Sequence, residues 1–221
     1  MTSVDPYRWK IRPGIAGARW LLVWFLLALP LAPALANDEL AALEAVKGTV
    51  YVRNIPNETM AGGRQCGFDF LVIARDPANG QPVQLKGRFV ASQDAQGALY
   101  GWSGVLFDGL RPGQAGRAPG RILVQPVNGM QVKQPPPVPS AGSETLQYRE
   151  PVDADFQLLL TSIVRDRGLK LRFSRESDGA LIETMLDLDV SGMEWQNGRV
   201  SRQFDSRVPA QMGRCWSSRG S

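Results

Sequence analysis

From Lys47 onward, short apolar segments alternate with turn-forming residues, and this pattern restricts the chain to a fold built mainly from β-strands. The segment 66–74 is almost continuously apolar, which is typical of a central strand that is covered on both faces. A turn is predicted after it, because Pro77 fixes its own φ and Gly80 accepts a positive φ. Further strands are predicted at 83–91, 99–107 and 121–127.

The dipeptide Asn128-Gly129 predicts a hairpin turn that joins the strand at 121–127 to another at 130–134. Pro126 lacks a backbone N–H and would therefore place this strand at the edge of a sheet. The Pro-rich segment that follows predicts an extended linker. The chain is accordingly divided into a signal peptide at 1–36, an N-terminal β-rich half at 37–134, a linker at 135–143 and a C-terminal half at 144–221.

One amphipathic helix is predicted near the start of the C-terminal half. Its apolar residues recur at helical spacing and form a single stripe of Val152, Phe156, Leu159, Leu160, Ile163 and Val164. Asp153 can cap the N-terminus of this helix, and Gly168 can end it. Leu158 falls outside the stripe, so a strand is the alternative interpretation of this segment.

After the helix, the loop residues Asp178-Gly179 predict a hairpin of two antiparallel strands. In that register Leu171 faces Leu186 and Lys170 faces Asp187, so one face of the hairpin is apolar and the other is charged. The predicted fold is mainly β, of the α+β class. It is an antiparallel β-sandwich-like body with one amphipathic helix packed in its C-terminal half.

Three carboxylates on the charged face are the candidate site residues, namely Glu183, Asp187 and Asp189. A D-x-D spacing on one strand is consistent with calcium ligands or with general acid and base groups. The alternative is a solvated face on which these carboxylates pair with Lys170 and Arg172 across the strands. We favour the ion pairs and predict no catalytic, cofactor-binding or metal-binding residue.

The N-terminal segment has the layout of a secretory signal peptide. Basic residues precede an apolar run at 20–32, and Ala34-Leu35-Ala36 follows as a cleavage site. We therefore predict export to the periplasm with cleavage after Ala36, and the alternative is a segment retained as a membrane anchor. Cleavage would remove four basic residues and one acidic residue, so the net charge of +4 would fall to +1. The basic charge is therefore no argument for nucleic-acid binding, and we predict no nucleic-acid partner.

The two cysteines of the chain, Cys66 and Cys215, predict one disulfide in an oxidising compartment. Two unrelated buried thiols are the alternative. The chain contains no histidine, which excludes Ser-His-Asp and Cys-His catalysis and zinc sites built on imidazole. An enzyme would have to rely on carboxylates, on a Ser-Lys pair or on tyrosine.

The helix–strand–strand order at 145–190 resembles the small modules at the periplasmic ends of secretins and TonB-dependent receptors. The resemblance implies an accessory role in a cell-envelope assembly or secretion system. We therefore expect a non-catalytic protein that binds an envelope protein and contacts the membrane only through an uncleaved signal segment. A carboxylate enzyme acting on an envelope glycan and a carrier of a small ligand are the alternatives. Trp102, Trp195 and Trp216 could line a binding groove or belong to the core.

Overall fold

The structure is a computed structural model that describes residues 43–217, except 56–58, 61–62, 95–96, 111–112, 139–143 and 198. Leu43 begins one compact unit that contains all of the described residues. The predicted signal peptide and its cleavage site lie outside the described residues, as does most of the predicted linker. None of the helices in the described ranges is long and apolar enough to cross a membrane.

A large antiparallel sheet contains the first strands of the chain. Its members are β1 (Gly48–Asn54), β2 (Thr59–Met60), β3 (Gly63–Arg75), β4 (Pro82–Asp94), β5 (Gly97–Asp108), β7 (Pro137–Val138) and β8 (Leu146–Pro151). The strand order is β1-β3-β4-β5-β8-β7, and β2 pairs with β3. The predicted strands at 66–74, 83–91 and 99–107 are confirmed as the central parts of β3, β4 and β5.

A smaller antiparallel sheet, a two-stranded ribbon and two helices of the C-terminal half complete the described part of the fold. The small sheet has the order β10-β9-β6, with β6 (Arg121–Pro126), β9 (Gly168–Ser174) and β10 (Ile182–Asp187). The ribbon pairs β11 (Val190–Gln196) with β12 (Arg199–Phe204), and the helices are α1 (Ala154–Thr161) and α2 (Arg207–Ser217). The pairs β5–β8 and β6–β9 join segments from either side of the predicted linker, so both sheets contain strands from both halves.

The core is rich in aromatic side chains. Phe68, Phe89, Trp102 and Tyr148 occupy matching positions on four neighbouring strands and form a row across the large sheet. The ring centroids of Phe68 and Phe89 are 5.5 Å apart, and those of Trp102 and Tyr148 are 5.3 Å apart. The small sheet and α1 complete the same core cluster with the buried side chains of Ile122, Leu171, Phe173, Phe156 and Leu159.

The predicted amphipathic helix is confirmed, but it ends differently. Asp153 caps α1, because its carboxylate accepts a hydrogen bond from the Phe156 N–H at 3.1 Å. The helix continues as a π-helical turn through 162–166, and Val164 at the end of the apolar stripe is exposed. Arg167 ends this turn with a φ of +56°, so Gly168 is the first residue of β9 rather than the helix terminator.

The predicted hairpin at Asn128-Gly129 is wrong, although a turn forms there. Gly129 has a φ of +79° and donates a backbone hydrogen bond to the Pro126 carbonyl. The segment 130–136 forms no strand, and β6 pairs instead with β9. Burial of the apolar side chains of β9 outweighs a local hairpin whose second arm is mostly polar. Pro126 does lie on an edge strand, as predicted.

The hairpin of β9 and β10 forms with a register that differs by two residues from the prediction. Leu186 faces Leu169, where the prediction placed Leu171. The loop between the paired residues Phe173 and Ile182 is wider than the predicted turn, and its centre is displaced by one residue. Within this loop the Arg175 guanidinium contacts the buried carboxylate of Asp76 at 2.5 Å. A shift of two residues preserves the faces of a strand, so the predicted apolar face is still the buried one.

Candidate functional site

The structure places Glu183 between two positive side chains. Glu183 is half exposed on β10, and its carboxylate lies 2.8 Å from Lys170 Nζ and 3.4 Å from Arg172 Nε. The predicted ion pairs with Lys170 and Arg172 are therefore present at this residue. Exposed pairs of this kind contribute less than about 1 kcal/mol each to stability.

Asp187 and Asp189 are directed to other partners at the end of β10. Asp187 Oδ1 accepts a hydrogen bond from the Asp189 N–H at 2.9 Å, and the Asp189 carboxylate contacts Arg167 at 3.1 Å. Burial raises the pKa of Asp189, and the negative charges of Asp187 and Asp205 add to this effect, whereas Arg167 opposes it. Within the described ranges, no group of three or more carboxylate or thiol side chains could hold a metal ion.

A disulfide between Cys66 and Cys215 fixes α2 to the large sheet. Cys66 lies on β3 and Cys215 on α2, with their Cα atoms 6.0 Å apart and a sequence separation of 149. Apolar packing supports the bond, because Met212 is buried and the ring of Trp216 lies 4.5 Å from that of Phe156. The disulfide therefore holds the C-terminal helix against the body of the fold.

A cleft of about 910 Å³ opens between the outer face of the large sheet, β11 and the N-terminal turn of α2. We call it the basic cleft, and its charged lining residues are Arg53, Asp69, Lys86, Arg88, Asp205 and Arg207. Four of these side chains are positive and two are negative, so the lining carries a net charge of +2. A concave surface of one dominant sign concentrates ligands of the opposite charge.

Asp69 organises the positive wall of the basic cleft. Its side chain is 14% exposed, and its carboxylate accepts hydrogen bonds from Arg88 Nε at 2.7 Å and Arg53 Nη2 at 3.4 Å. Burial alone would raise the pKa of Asp69, but the hydrogen bonds and charges of Arg88 and Arg53 outweigh burial and hold this pKa below its ordinary value. Lys86 on the neighbouring strand forms no ion pair with any described residue.

The ribbon of β11 and β12 carries the two most exposed large apolar side chains in the described part of the chain. Trp195 is 62% exposed and Phe204 is 67% exposed. Trp195 pairs with Val200, Phe204 pairs with Val190, and a bulge lies between these pairs. Alternation along β12, together with the bulge, places both aromatic side chains on one face of the ribbon, which we call the aromatic face.

Arg202 anchors the aromatic face to the large sheet. Its guanidinium donates hydrogen bonds to the Thr49 carbonyl at 3.2 Å and to the Lys47 carbonyl. Arg202 precedes Phe204 by two residues on β12, so the bond is made from the same face of the ribbon. Charge-assisted bonds to backbone carbonyls fix the base of the ribbon and leave its aromatic side chains exposed.

Trp102, Trp195 and Trp216 do not line a common groove. Trp102 is buried in the core and Trp216 packs on Phe156, whereas Trp195 lies on the exposed ribbon. The core interpretation therefore holds for Trp102, and Trp195 belongs to a surface that sequence analysis missed.

The ribbon and α2 had local signals that were not used. Asn197-Gly198 is a hairpin signal, and Asn197 has a φ of +50° between the paired residues Gln196 and Arg199. Val208 and Met212 are spaced by one helical turn, as expected for the buried side of α2. The basic cleft had no comparable signal, because its residues come from distant parts of the chain.

Comparison with known proteins provides no relative from which a function could be transferred. The chain matches no protein family model, no curated protein and no solved structure. The fold, the basic cleft and the aromatic face are therefore the basis for a functional assignment.

Proposed function

We propose that this chain is an exported, non-catalytic protein that binds a protein partner in the cell envelope through its aromatic face. The observation that carries the proposal is the exposure of Trp195 and Phe204, at 62% and 67%, on one face of the ribbon. Large aromatic side chains supply much of the binding energy at protein interfaces. Trp195 pairs with Val200, which lies four positions from Phe204 along β12, so the two side chains can contact one partner surface.

The attachment of the ribbon supports a binding role. Arg202 holds the base of the ribbon on β1, and a pre-organised surface loses less conformational entropy on binding than a flexible loop does. Among the described strands, β12 pairs only with β11, so its outer edge can accept a strand from a partner. Burial of one such aromatic side chain contributes on the order of 2 kcal/mol.

Two further observations support an exported, non-catalytic protein. A structural disulfide such as Cys66–Cys215 is typical of an oxidising compartment, in agreement with the predicted signal peptide. The Glu183 carboxylate is already engaged in ion pairs with Lys170 and Arg172, which supports a structural role for this residue.

The proposal is tested with the full chain and the double variant Trp195→Ala/Phe204→Ala. Met185→Ala is the matched control, because this side chain is 46% exposed but lies on β10. Each protein is immobilised in equal amount and incubated with solubilised envelope proteins of the producing cell, and bound proteins are identified and quantified by mass spectrometry. We expect the unmodified chain and the control to retain one defined assembly, and the double variant to retain roughly tenfold less.

Recovery of the same assembly in equal amount with the double variant would reject the aromatic face as the binding surface. A protein that is recovered alone, with a bound lipid or sugar, would favour the carrier or the enzyme instead. Thermal unfolding controls for folding, since substitutions at exposed positions change the free energy of unfolding by less than about 0.5 kcal/mol.

A further inference from the structure

We propose that the basic cleft binds a ligand that carries a phosphate monoester. The cleft brings Arg53, Lys86, Arg88 and Arg207 to one concave surface of about 910 Å³. This site is separate from the aromatic face, and it would bind its ligand whether or not the ribbon binds a protein.

The charge of the cleft matches that of a phosphate monoester. Asp69 and Asp205 offset two of the four positive side chains, which leaves a net charge of +2. A phosphate monoester carries about −1.5 to −2 at neutral pH, whereas a single carboxylate would leave the cleft with excess positive charge. The phosphate group also offers three acceptor oxygens to guanidinium and ammonium donors.

The basic side chains of the cleft differ in how closely carboxylates already pair with them, and this difference indicates where the phosphate binds. Arg207 is already paired with Asp205 at 2.5 Å. In contrast, Arg53 is 79% exposed and has only a 3.4 Å contact to Asp69, and Lys86 has no carboxylate partner among the described residues. The free donors therefore lie on the wall formed by β1 and β4, and the phosphate is placed there.

Asp69 is a positioning residue for this wall. It accepts hydrogen bonds from Nε and Nη2 of Arg88, at 2.7 Å and 3.2 Å, which fixes the plane of the guanidinium. No described residue accepts a hydrogen bond from Nη1 of Arg88, so this group remains for the ligand. An arginine held in this way loses less side-chain freedom when a phosphate binds.

The cleft also has room for the organic part of a ligand. Its volume of about 910 Å³ is in the upper part of the range for small-molecule sites, roughly 300–1,000 Å³. Tyr51, Val208 and Gln211 line the remaining surface, and Gln211 Oε1 is buried with no hydrogen-bond partner among the described residues. The shared chemistry is a phosphate monoester, which is present both in soluble phosphorylated molecules and in lipid headgroups.

The test measures binding of two probes to the full chain. Glycerol 3-phosphate is titrated by isothermal calorimetry, and vesicles of phosphatidylcholine with and without phosphatidic acid are used in a flotation assay. Lys86→Gln and Arg53→Gln remove a positive charge inside the cleft, and Arg149→Gln removes one at an exposed position of β8 outside it. We expect each cleft variant to weaken binding roughly tenfold, and Arg149→Gln to leave it unchanged.

Binding of glycerol 3-phosphate would indicate a soluble ligand, and binding only to vesicles with phosphatidic acid would indicate a lipid headgroup. Either result, with selective loss in the cleft variants, supports the site. Absence of binding to both probes would overturn it, as would equal weakening by Arg149→Gln, which would mean unspecific attraction to charge. Unchanged melting temperatures of the variants separate lost binding from lost folding.

Discussion

Removal of the Cys66–Cys215 disulfide should lower the free energy of unfolding by about 3–5 kcal/mol. The bond closes a loop of 149 residues, for which the chain-entropy relation gives about 5 kcal/mol at 25 °C. This value is an upper limit, because unfolded chains are more compact than random coils and already lose part of that freedom. Measured effects of natural disulfides in other proteins, typically 2–4 kcal/mol, set the lower part of the range.

The loss should be concentrated in α2. This helix has 11 residues, which is too short for stability in isolation, and it is otherwise held by the apolar packing of Val208, Met212 and Trp216. The strands β3, β4 and β5 pair with each other independently of the disulfide. Without the bond, the backbone amides of α2 should therefore exchange their hydrogens faster than those of the large sheet.

Urea unfolding and amide hydrogen exchange of the double variant Cys66→Ser/Cys215→Ser test both expectations. The oxidised, unmodified chain is the reference. The double variant, measured with and without added reductant, shows whether the reductant itself changes either measurement. A decrease of less than about 1 kcal/mol would refute the loop-closure reasoning. Equal acceleration of exchange in α2 and in the large sheet would refute the local role of the bond.

Ser162→Ala should lower the free energy of unfolding, measured by urea denaturation, by about 2 kcal/mol. The buried Ser162 hydroxyl accepts a hydrogen bond from the Val127 N–H at 2.9 Å and donates one to the Gly168 carbonyl at 2.8 Å, and the substitution removes both. The exposed neighbour Thr161→Ala is the control, and an equal effect of both substitutions would contradict this reasoning. The lowered pKa of Asp69 means that its ionised form stabilises the folded state above the ordinary carboxyl pKa, and that this stabilisation is lost as the pH falls through the folded-state pKa. Asp69→Asn should therefore lower the melting temperature at neutral pH and approach the unmodified chain in acid, and a difference independent of pH would argue against it.

The order of β3, β4 and β5 was predictable because each of these strands pairs with the next one along the chain. The apolar segment 66–74 and the turn residues Pro77 and Gly80 contain the local information that this requires. The pairing of β6 with β9 was not predictable, because Asn128-Gly129 provides a stronger short-range signal for a different hairpin. Burial of distant apolar side chains decides between the two pairings, and no local pattern reports that burial.

The distinction between local sequence patterns and contacts of distant segments also applies to the candidate sites. The ion pairs of Glu183 depend mainly on the face that a strand residue occupies, and this property survives a register error of two residues. The basic cleft depends on β1, β4 and α2 meeting in space, and no period relates Arg53 to Arg207. Asp69 offered one usable signal, because it is a carboxylate within the otherwise apolar segment 66–74 and therefore needs a polar partner.

Side-chain hydrogen bonds at β1 join the two sheets and the ribbon. Thr49 is 3% exposed, and its hydroxyl accepts from the Asp187 N–H at 2.7 Å and donates to the Met185 carbonyl at 3.3 Å, which links β1 to β10. Arg202 links the ribbon to the Thr49 carbonyl. The Arg202 bond occupies a backbone carbonyl of β1, which is an edge strand of the large sheet that another strand could otherwise pair with. The outer edge of β12 has no comparable cover among the described strands, and this is why the proposed protein partner is placed on the ribbon rather than on the large sheet.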